Sequence, residues 1–289
     1  MPELPEVHTT IEDLKANRLP GMQITSVEVY WPRTVGGDAM AFARAVTDRC
    51  ITAVRRRGKY IILDLDSGAA ILVHLRMSGR LYVSDVDAPR TGYERVILGL
   101  NGTDTTGELR FHVPRKFGRM TVTTDAAQAV SHLGIEPLSP QFGEDALAEI
   151  LAGRPRTLKA LLLDQTVIAG LGNIYTDEAL WQARIHPTRP AASLSPGEVR
   201  ALASAIQAVL ERGIQNLGTS LGSGASNFVF PGKKVQAHNQ EDLRVFQRTG
   251  TPCRRCGTMI QRIIVAQRAT HLCPVCQRAD AAATGRSPR

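Results

Sequence analysis

Apolar residues set the first reading of the chain. Val7, Ile11 and Leu14 recur at helical spacing through Glu12, Asp13 and Lys15, and Pro5 suits a first helical turn, so a helix opens the sequence. Short alternating runs follow, from Gln23 to Tyr30, Thr52 to Arg56, Tyr60 to Asp64, Ala70 to Leu75, Arg80 to Val83, Val96 to Leu100, Glu108 to His112 and Arg119 to Thr123. Turn signals at Asp66-Ser67-Gly68 and Asn101-Gly102 separate some of them. Eight such strands predict a sandwich or a barrel. Beyond Leu138-Ser139-Pro140 the period becomes helical, from Ala146 to Leu151, Leu158 to Leu163, Ile174 to Ala183 and Pro196 to Ile214. A boundary between a β-rich and a helical half is expected near residue 135.

Composition narrows this without changing it. A chain of 289 residues with 43% hydrophobic content can bury two cores, and it contains no internal repeat. No apolar run approaches membrane-spanning length, and no basic segment followed by an apolar run opens the chain, so no membrane partner and no signal peptide are expected. The tail after Gln277, rich in Ala, Gly, Ser, Pro and Arg, is expected to be disordered. The net charge is +8, yet from Arg244 onward there are nine arginines and one acid, Asp280. A single-sign cationic segment points to a polyanionic partner, bound through counterion release.

The same segment carries Cys253, Cys256, Cys273 and Cys276, two Cys-x-x-Cys knuckles with sixteen residues between them. That spacing suits one tetrahedral zinc ion held by four thiolates, and Gly257 permits the tight turn after Cys256. Two disulfides are the alternative, suited to a secreted chain. Thiolate ligation requires a reducing compartment, so the cytoplasm is expected. Cys50 is expected to be a buried thiol without chemistry.

Two further segments carry candidate chemistry. If Met1 is removed, Pro2 becomes a secondary-amine N-terminus, with an unperturbed pKa of roughly 7.7 to 8.0 that leaves part of it unprotonated and able to attack a sugar aldehyde carbon. Glu3 and Glu6 stand beside it as candidate proton donor and orienting group. The Gly170-Leu171-Gly172-Asn173-Ile174-Tyr175 turn precedes a helix starting near Asn173, which leaves backbone N–H groups for an anion, and Lys159 one helix earlier adds charge.

Met1-Pro2-Glu3-Leu4-Pro5-Glu6-Val7 resembles the start of the formamidopyrimidine-DNA glycosylases. His74-Leu75-Arg76-Met77-Ser78-Gly79, Pro114-Arg115-Lys116-Phe117-Gly118, Gly172-Asn173-Ile174-Tyr175 and the cysteine cluster with Gln267-Arg268-Ala269-Thr270 occur in that family's order, over the full length. The resemblance implies an α+β protein: an N-terminal β-sandwich with an N-terminal helix at 1–135, a helix-two-turn-helix DNA-binding domain with a lesion loop at 136–240, a zinc β-hairpin finger at 241–277 and a tail at 278–289. It implies a bifunctional glycosylase and lyase of base excision repair, one structural zinc ion, and as partner double-stranded DNA with oxidised bases or abasic sites, acted on by a monomer.

By position, the resemblance makes Pro2 the nucleophile that displaces the base and holds the sugar as a Schiff base, with Glu3 protonating the ring oxygen. Lys59 matches a lysine of proton transfer and phosphate binding, and Arg268 the finger arginine that grips phosphates during β- and δ-elimination. Met77, Arg115 and Phe117 resemble residues that fill the gap left by an everted base, which suits a thioether, a guanidinium and a ring. Lys116, Lys159 and Asn173 resemble phosphate contacts, His74 a support of the sandwich site, and Glu6 belongs with the DNA-facing set.

Some positions depart from the pattern. Tyr93-Glu94-Arg95 stands where many relatives carry a histidine that contacts DNA, Val113 where an acid often precedes Pro-Arg, and the stretch from Gly218 to Asn239, aligned with the loop over the everted base, is divergent. The Leu-Pro-Glu start favours oxidised purines, 8-oxoguanine and formamidopyrimidines. A glycosylase for oxidised pyrimidines and a noncatalytic zinc-finger DNA binder are the other readings.

Overall fold

The computed structural model describes residues 2–103, 105–220 and 239–279. The initiator Met1, most of the divergent 218–239 stretch and nearly all of the 278–289 tail lie outside them. Two compact units are present, Met1–His132 with Asn216–Gln240, and Leu133–Gln215 with Glu241–Arg289.

In the first unit, α1 (Leu4–Ala16) precedes β1 (Gln23–Val29), α2 (Ala39–Val46), β2 (Ile51–Arg57), β3 (Tyr60–Leu65), β4 (Ala70–His74), β5 (Arg80–Ser84), β6 (Glu94–Asn101), β7 (Thr106–His112) and β8 (Arg119–Thr123). All strand pairs are antiparallel, in two four-stranded sheets ordered β1-β6-β7-β5 and β2-β3-β4-β8. The choice between sandwich and barrel therefore falls to the sandwich, because neither sheet closes on itself.

The core joins both sheets to one stripe of α1: Val7, Ile11 and Leu14 pack with Ile61, Leu63, Ile71, Val73, Leu98, Leu109 and Phe111. Burying such side chains is worth about 1.5–3 kcal/mol each, which fixes α1 against β2, β3 and β5 and so places its first turn. The helix α2 is absent from the sequence reading although its signals are present. Asp38 accepts from the Ala41 N–H at 2.8 Å as N-cap, and Phe42 and Val46 share the buried face. Cys50 is half-buried rather than buried; it directly precedes β2 and bridges Gln23 at the start of β1.

The short α3 (Ala126–Ala129) ends the first stretch of the first unit; in the second unit α4 (Glu144–Leu151), α5 (Leu158–Leu162), α6 (Asn173–Gln182) and α7 (Pro196–Gln215) form the helical part, followed by the hairpin β9 (Gln261–Val265) and β10 (Arg268–Leu272). Close approach of α6 and α7 depends on Gly213, where an added Cβ would lie 2.5 Å from the Tyr175 ring. The described residues Asn216 to Ser220, Asn239 and Gln240 cluster with the first unit. Among the described residues, no helix is long and apolar enough to cross a membrane.

Candidate active site and nucleic-acid interface

The first turn of α1 is built by a reciprocal cap. Glu3 is the N-cap and Glu6 the third helical residue, and each carboxylate accepts the other's backbone N–H, with Glu3 N–H to Glu6 Oε2 at 2.7 Å. Pro2 and Pro5 flank the cap, and Pro2, Glu3 and Glu6 are all buried. Glu6, expected with the DNA-facing set, is buried. Its second oxygen accepts the Thr219 N–H at 2.7 Å, so both oxygens hold backbone groups of its own unit.

Lys59 sits at the tip of the β2–β3 hairpin, 5% exposed, after Gly58 at φ +54. His74, at the end of β4, meets Tyr60 edge to face at 4.8 Å and accepts the Arg76 N–H on Nδ1 at 3.0 Å. Burial, with the charges of Arg76 and Lys59 behind it, pushes His74 down to about 3, so the imidazole is neutral and Nδ1 remains an acceptor. That bond holds Arg76 at φ +57 and so sets the bend that presents Met77.

Met77 and Phe117 are 44% and 56% exposed, in a unit whose other large apolar side chains are mostly buried. Their two loops are tied together, because Arg115 Nε donates to the buried Ser78 Oγ at 3.3 Å. The second loop is stiff. Arg119 donates to the carbonyls of Lys116, Phe117 and Gly118, and a Cβ on Gly118 would lie 2.7 Å from the Phe111 ring. Lys116 is exposed, yet its ammonium lies 4.1 Å from the Trp31 ring centroid, a partner the sequence reading did not include. A rigid apolar pair beside a guanidinium can enter a base stack and face an orphaned base.

In the second unit the order of charge is different from that expected. Lys159, expected as a phosphate contact, is wholly buried and forms an ion pair with Asp177, also buried. Asp177 further accepts the His271 N–H at 2.9 Å, and Lys159 Nζ reaches the Ala269 carbonyl at 3.5 Å. Asn173, half-buried in the first turn of α6, donates to the same carbonyl at 2.8 Å. These bonds fix the residue next to Arg268, whose exposed side chain leaves the β9–β10 turn, where Ala266 and Gln267 stand at φ +50 and +58. Glu178 accepts the N–H groups of Arg244, Val245 and Phe246; burial nevertheless pushes its carboxyl up. Neither Asp177, Glu178 nor His271 was found from the sequence, since a lone acid or histidine in a helical or strand pattern carries no local signal.

The four sulfurs of Cys253, Cys256, Cys273 and Cys276 lie within 4.8 Å of one another, with none joined in a disulfide. Cys253 to Cys276 is 4.0 Å and Cys256 to Cys273 is 3.4 Å, against about 3.8 Å between sulfurs of a tetrahedral zinc–thiolate centre with 2.3 Å bonds. Trp181 Nε1 and the Arg255 N–H both donate to Cys253 Sγ at 3.4 Å, and the Cys276 N–H donates to Cys273 Sγ at 3.4 Å, as thiolate ligands require. Cys276 is pushed up to about 12 by burial and the crowding sulfurs, a repulsion that a divalent cation removes. The site fits zinc, and with Trp181, Val245 and Ile260 it forms its own small core.

The first unit holds a buried Pro2 beside paired carboxylates and an exposed apolar pair, and the second holds a cationic zinc hairpin, features that fit the class of DNA-processing proteins. Residues 1–120 match the family model of the formamidopyrimidine-DNA glycosylase N-terminal domain, 133–223 that of the same enzymes' H2TH domain, and 250–279 a zinc finger found in FPG and IleRS. A formamidopyrimidine-DNA glycosylase of Protochlamydia amoebophila is 44% identical over 280 residues, covering 96% of this chain and 100% of the relative. A Lactococcus lactis FPG variant in complex with Fapy-dG containing DNA superposes with a TM-score of 0.87 at 34% identity, over 96% of this chain and 100% of that one. The wild-type L. lactis protein with an oxidized pyrimidine containing DNA gives 0.85 at 35%, over the same shares. The chain belongs to the formamidopyrimidine-DNA glycosylase family and is a DNA glycosylase of base excision repair that binds DNA and holds one structural zinc ion.

Proposed function

We propose that the chain excises oxidised purines, 8-oxoguanine and formamidopyrimidines, and then cleaves the strand by β,δ-elimination. The carrying observation is the buried Pro2 locked against the Glu3–Glu6 cap, with Lys59 buried at the tip of the hairpin that α1 packs beside. After removal of Met1 the Pro2 nitrogen attacks the anomeric carbon while Glu3 protonates the ring oxygen. The glycosidic bond breaks, and the base leaves with a proton. Loss of the amine proton and cleavage of the C1′–O4′ bond, the ring oxygen keeping the proton from Glu3, let the nitrogen lone pair form the C=N bond of a ring-opened iminium. Its positive charge acidifies the neighbouring carbon, so a weak base suffices to remove that proton as the 3′-phosphate leaves, and a second elimination releases the 5′-phosphate. Arg268 grips the departing phosphates, and Lys59 moves protons near the sugar.

Met77, Arg115 and Phe117 would occupy the vacated stack, which loses a few kcal/mol when the base leaves it. One copy acts on one lesion, in a reducing cytoplasm where four thiolates persist. The test is borohydride trapping with paired cleavage assays on 8-oxoguanine and thymine glycol duplexes. Covalent adduct and kcat/KM at least about tenfold higher on the purine lesion are expected, about 1.4 kcal/mol of discrimination. The oxidised-pyrimidine complex of the L. lactis relative makes the reverse ratio a concrete second reading. Absence of any adduct from chain lacking Met1 would leave a noncatalytic binder.

A further inference from the structure

We infer that Glu6, Thr219 and Asn239 form a positioning chain that sets the place of the amino-terminal nucleophile from the two ends of the 219–240 segment. The inference rests on the proposed imine chemistry of Pro2. Each link is short: Glu6 Oε2 accepts the Glu3 N–H at 2.7 Å, Glu6 Oε1 accepts the Thr219 N–H at 2.7 Å, and the Thr219 hydroxyl accepts from Asn239 Nδ2 at 2.7 Å. The Asn239 carbonyl oxygen in turn accepts from Asn216 Nδ2 at 3.3 Å, and the Ser220 N–H donates to Gln240 Oε1 at 3.2 Å.

This is a built arrangement. Glu6, Thr219 and Asn239 are 1%, 2% and 4% exposed, so these bonds are shielded from water and are stronger than they would be at the surface. Gly218 stands at φ +82, and a Cβ there would come within 3.0 Å of Glu6 Cγ, so the chain backbone is drawn tight against the carboxylate. The carboxylate is the centre of the device. One oxygen holds the residue after Pro2, the other a residue more than two hundred positions later, and charge-assisted bonds of this kind are about twice as strong as neutral ones.

The kinetic consequence follows from the demands of attack on carbon. A nucleophile must be held near 3–3.5 Å in line with the reacting bond, and a displacement of 1 Å costs on the order of a hundredfold in rate. Loosening Thr219 lets the Glu6 carboxylate, and with it the Glu3 backbone, drift. Residues far from the sugar should therefore control imine formation even on a substrate without a base, where base recognition contributes nothing.

The experiment measures single-turnover borohydride trapping on abasic duplex, with duplex affinity determined in parallel. Thr219→Val removes only the hydroxyl acceptor and keeps the N–H to Glu6; Asn239→Ala removes the donor from the other side; Thr219→Ser keeps the hydroxyl. Trapping slowed on the order of tenfold in the first two, affinity within about twofold, wild-type behaviour in Thr219→Ser, and a double variant no slower than either single one are expected. Wild-type trapping rates in both Thr219→Val and Asn239→Ala, slowing that follows lost affinity, or multiplicative effects in the double variant overturn the inference. A wild-type chain that forms no adduct overturns the underlying chemistry instead.

Discussion

Two pairs of acids, one in each unit, are equally hidden and differ in what they hold. Glu3 and Glu6 are 2% and 1% exposed, Asp177 and Glu178 are 1% and 4%. In the helical unit one acid of the pair neutralises a buried lysine, and the other collects three consecutive N–H groups, so the charge serves to dock the finger segment onto α6. In the sandwich unit the acids cap each other's backbone beside Pro2 and reach Thr219. Burial alone therefore does not mark a reacting carboxylate. What distinguishes the two pairs is their partners: a lysine, a histidine and finger N–H groups in one, the helix cap and Thr219 in the other.

The largest effect tests the reacting side of the comparison. Pro2→Gly leaves the Glu3–Glu6 cap in place, since Pro2 contributes no hydrogen bond to it, and alters only the amine. Trapping on 8-oxoguanine duplex is expected to fall by several orders of magnitude with duplex affinity unchanged, and retention of Met1 should do the same. A normal adduct from either form would show that another amine reacts.

The structural side predicts a large loss of stability and no direct loss of chemistry. Asp177→Asn leaves the ammonium of Lys159 buried without its counter-charge, a change that costs about 3–5 kcal/mol, whereas adding Lys159→Met to Asp177→Asn, which keeps an amide acceptor for the His271 N–H, should restore most of it. Trp31→Phe makes Trp181 the sole tryptophan, so its fluorescence in denaturant reports the helical unit. Equal stability of Asp177→Asn and wild type would remove the ion pair from its assigned role. Zinc belongs to the same side: Cys273→Ser should release the metal and weaken duplex binding, because the hairpin shares its small core with the sulfurs. Full zinc content in that variant would contradict the ligand set.

An intermediate effect comes from protons. Burial holds His74 at about 3 and His112 at about 4, both below the unfolded value near 6.5. Between these values the unfolded chain binds the proton and the folded one does not, so this stability is complete above pH 6.5 and is lost as pH falls toward 4 and 3. The slope is at most about 1.4 kcal/mol per pH unit for one histidine, or about 2 kcal/mol for His74 at pH 5. Comparing His74→Gln with wild type between pH 7 and 5 isolates this contribution; parallel stability curves for the two would refute it.

How far these features were legible depends on whether their cause is local. Strand positions followed from alternation, and the four cysteines from spacing, because pleat and chelate both repeat over a few residues. The stripe of α1 was likewise legible, and α2 was equally local but overlooked despite its Asp38 cap. The burial of Lys159 had no local sign, because its partner Asp177 lies eighteen residues away and only folding brings the two together. The tie from Glu6 to Thr219, across 213 positions, had no local trace at all. Trp31 belongs to the same class, as an aromatic residue whose partner Lys116 comes from a distant loop.

That last pair sharpens the comparison at its weakest point. A lysine buried against an aspartate in one unit is matched in the other by a lysine lying over a ring at the surface, where a cation–π contact is worth about 0.5–1 kcal/mol. If Trp31 holds the Lys116–Phe117 loop ready, Trp31→Leu should slow insertion into a lesion duplex by roughly twofold to fivefold, the rate factor of that energy, and Trp31→Phe should slow it less. Fluorescence of 2-aminopurine beside the lesion follows insertion directly, and Lys116→Met should give the same change without adding to Trp31→Leu, because both remove one contact. If Lys116→Met slows insertion and Trp31→Leu does not, the ammonium acts on the DNA itself and the ring is only its neighbour.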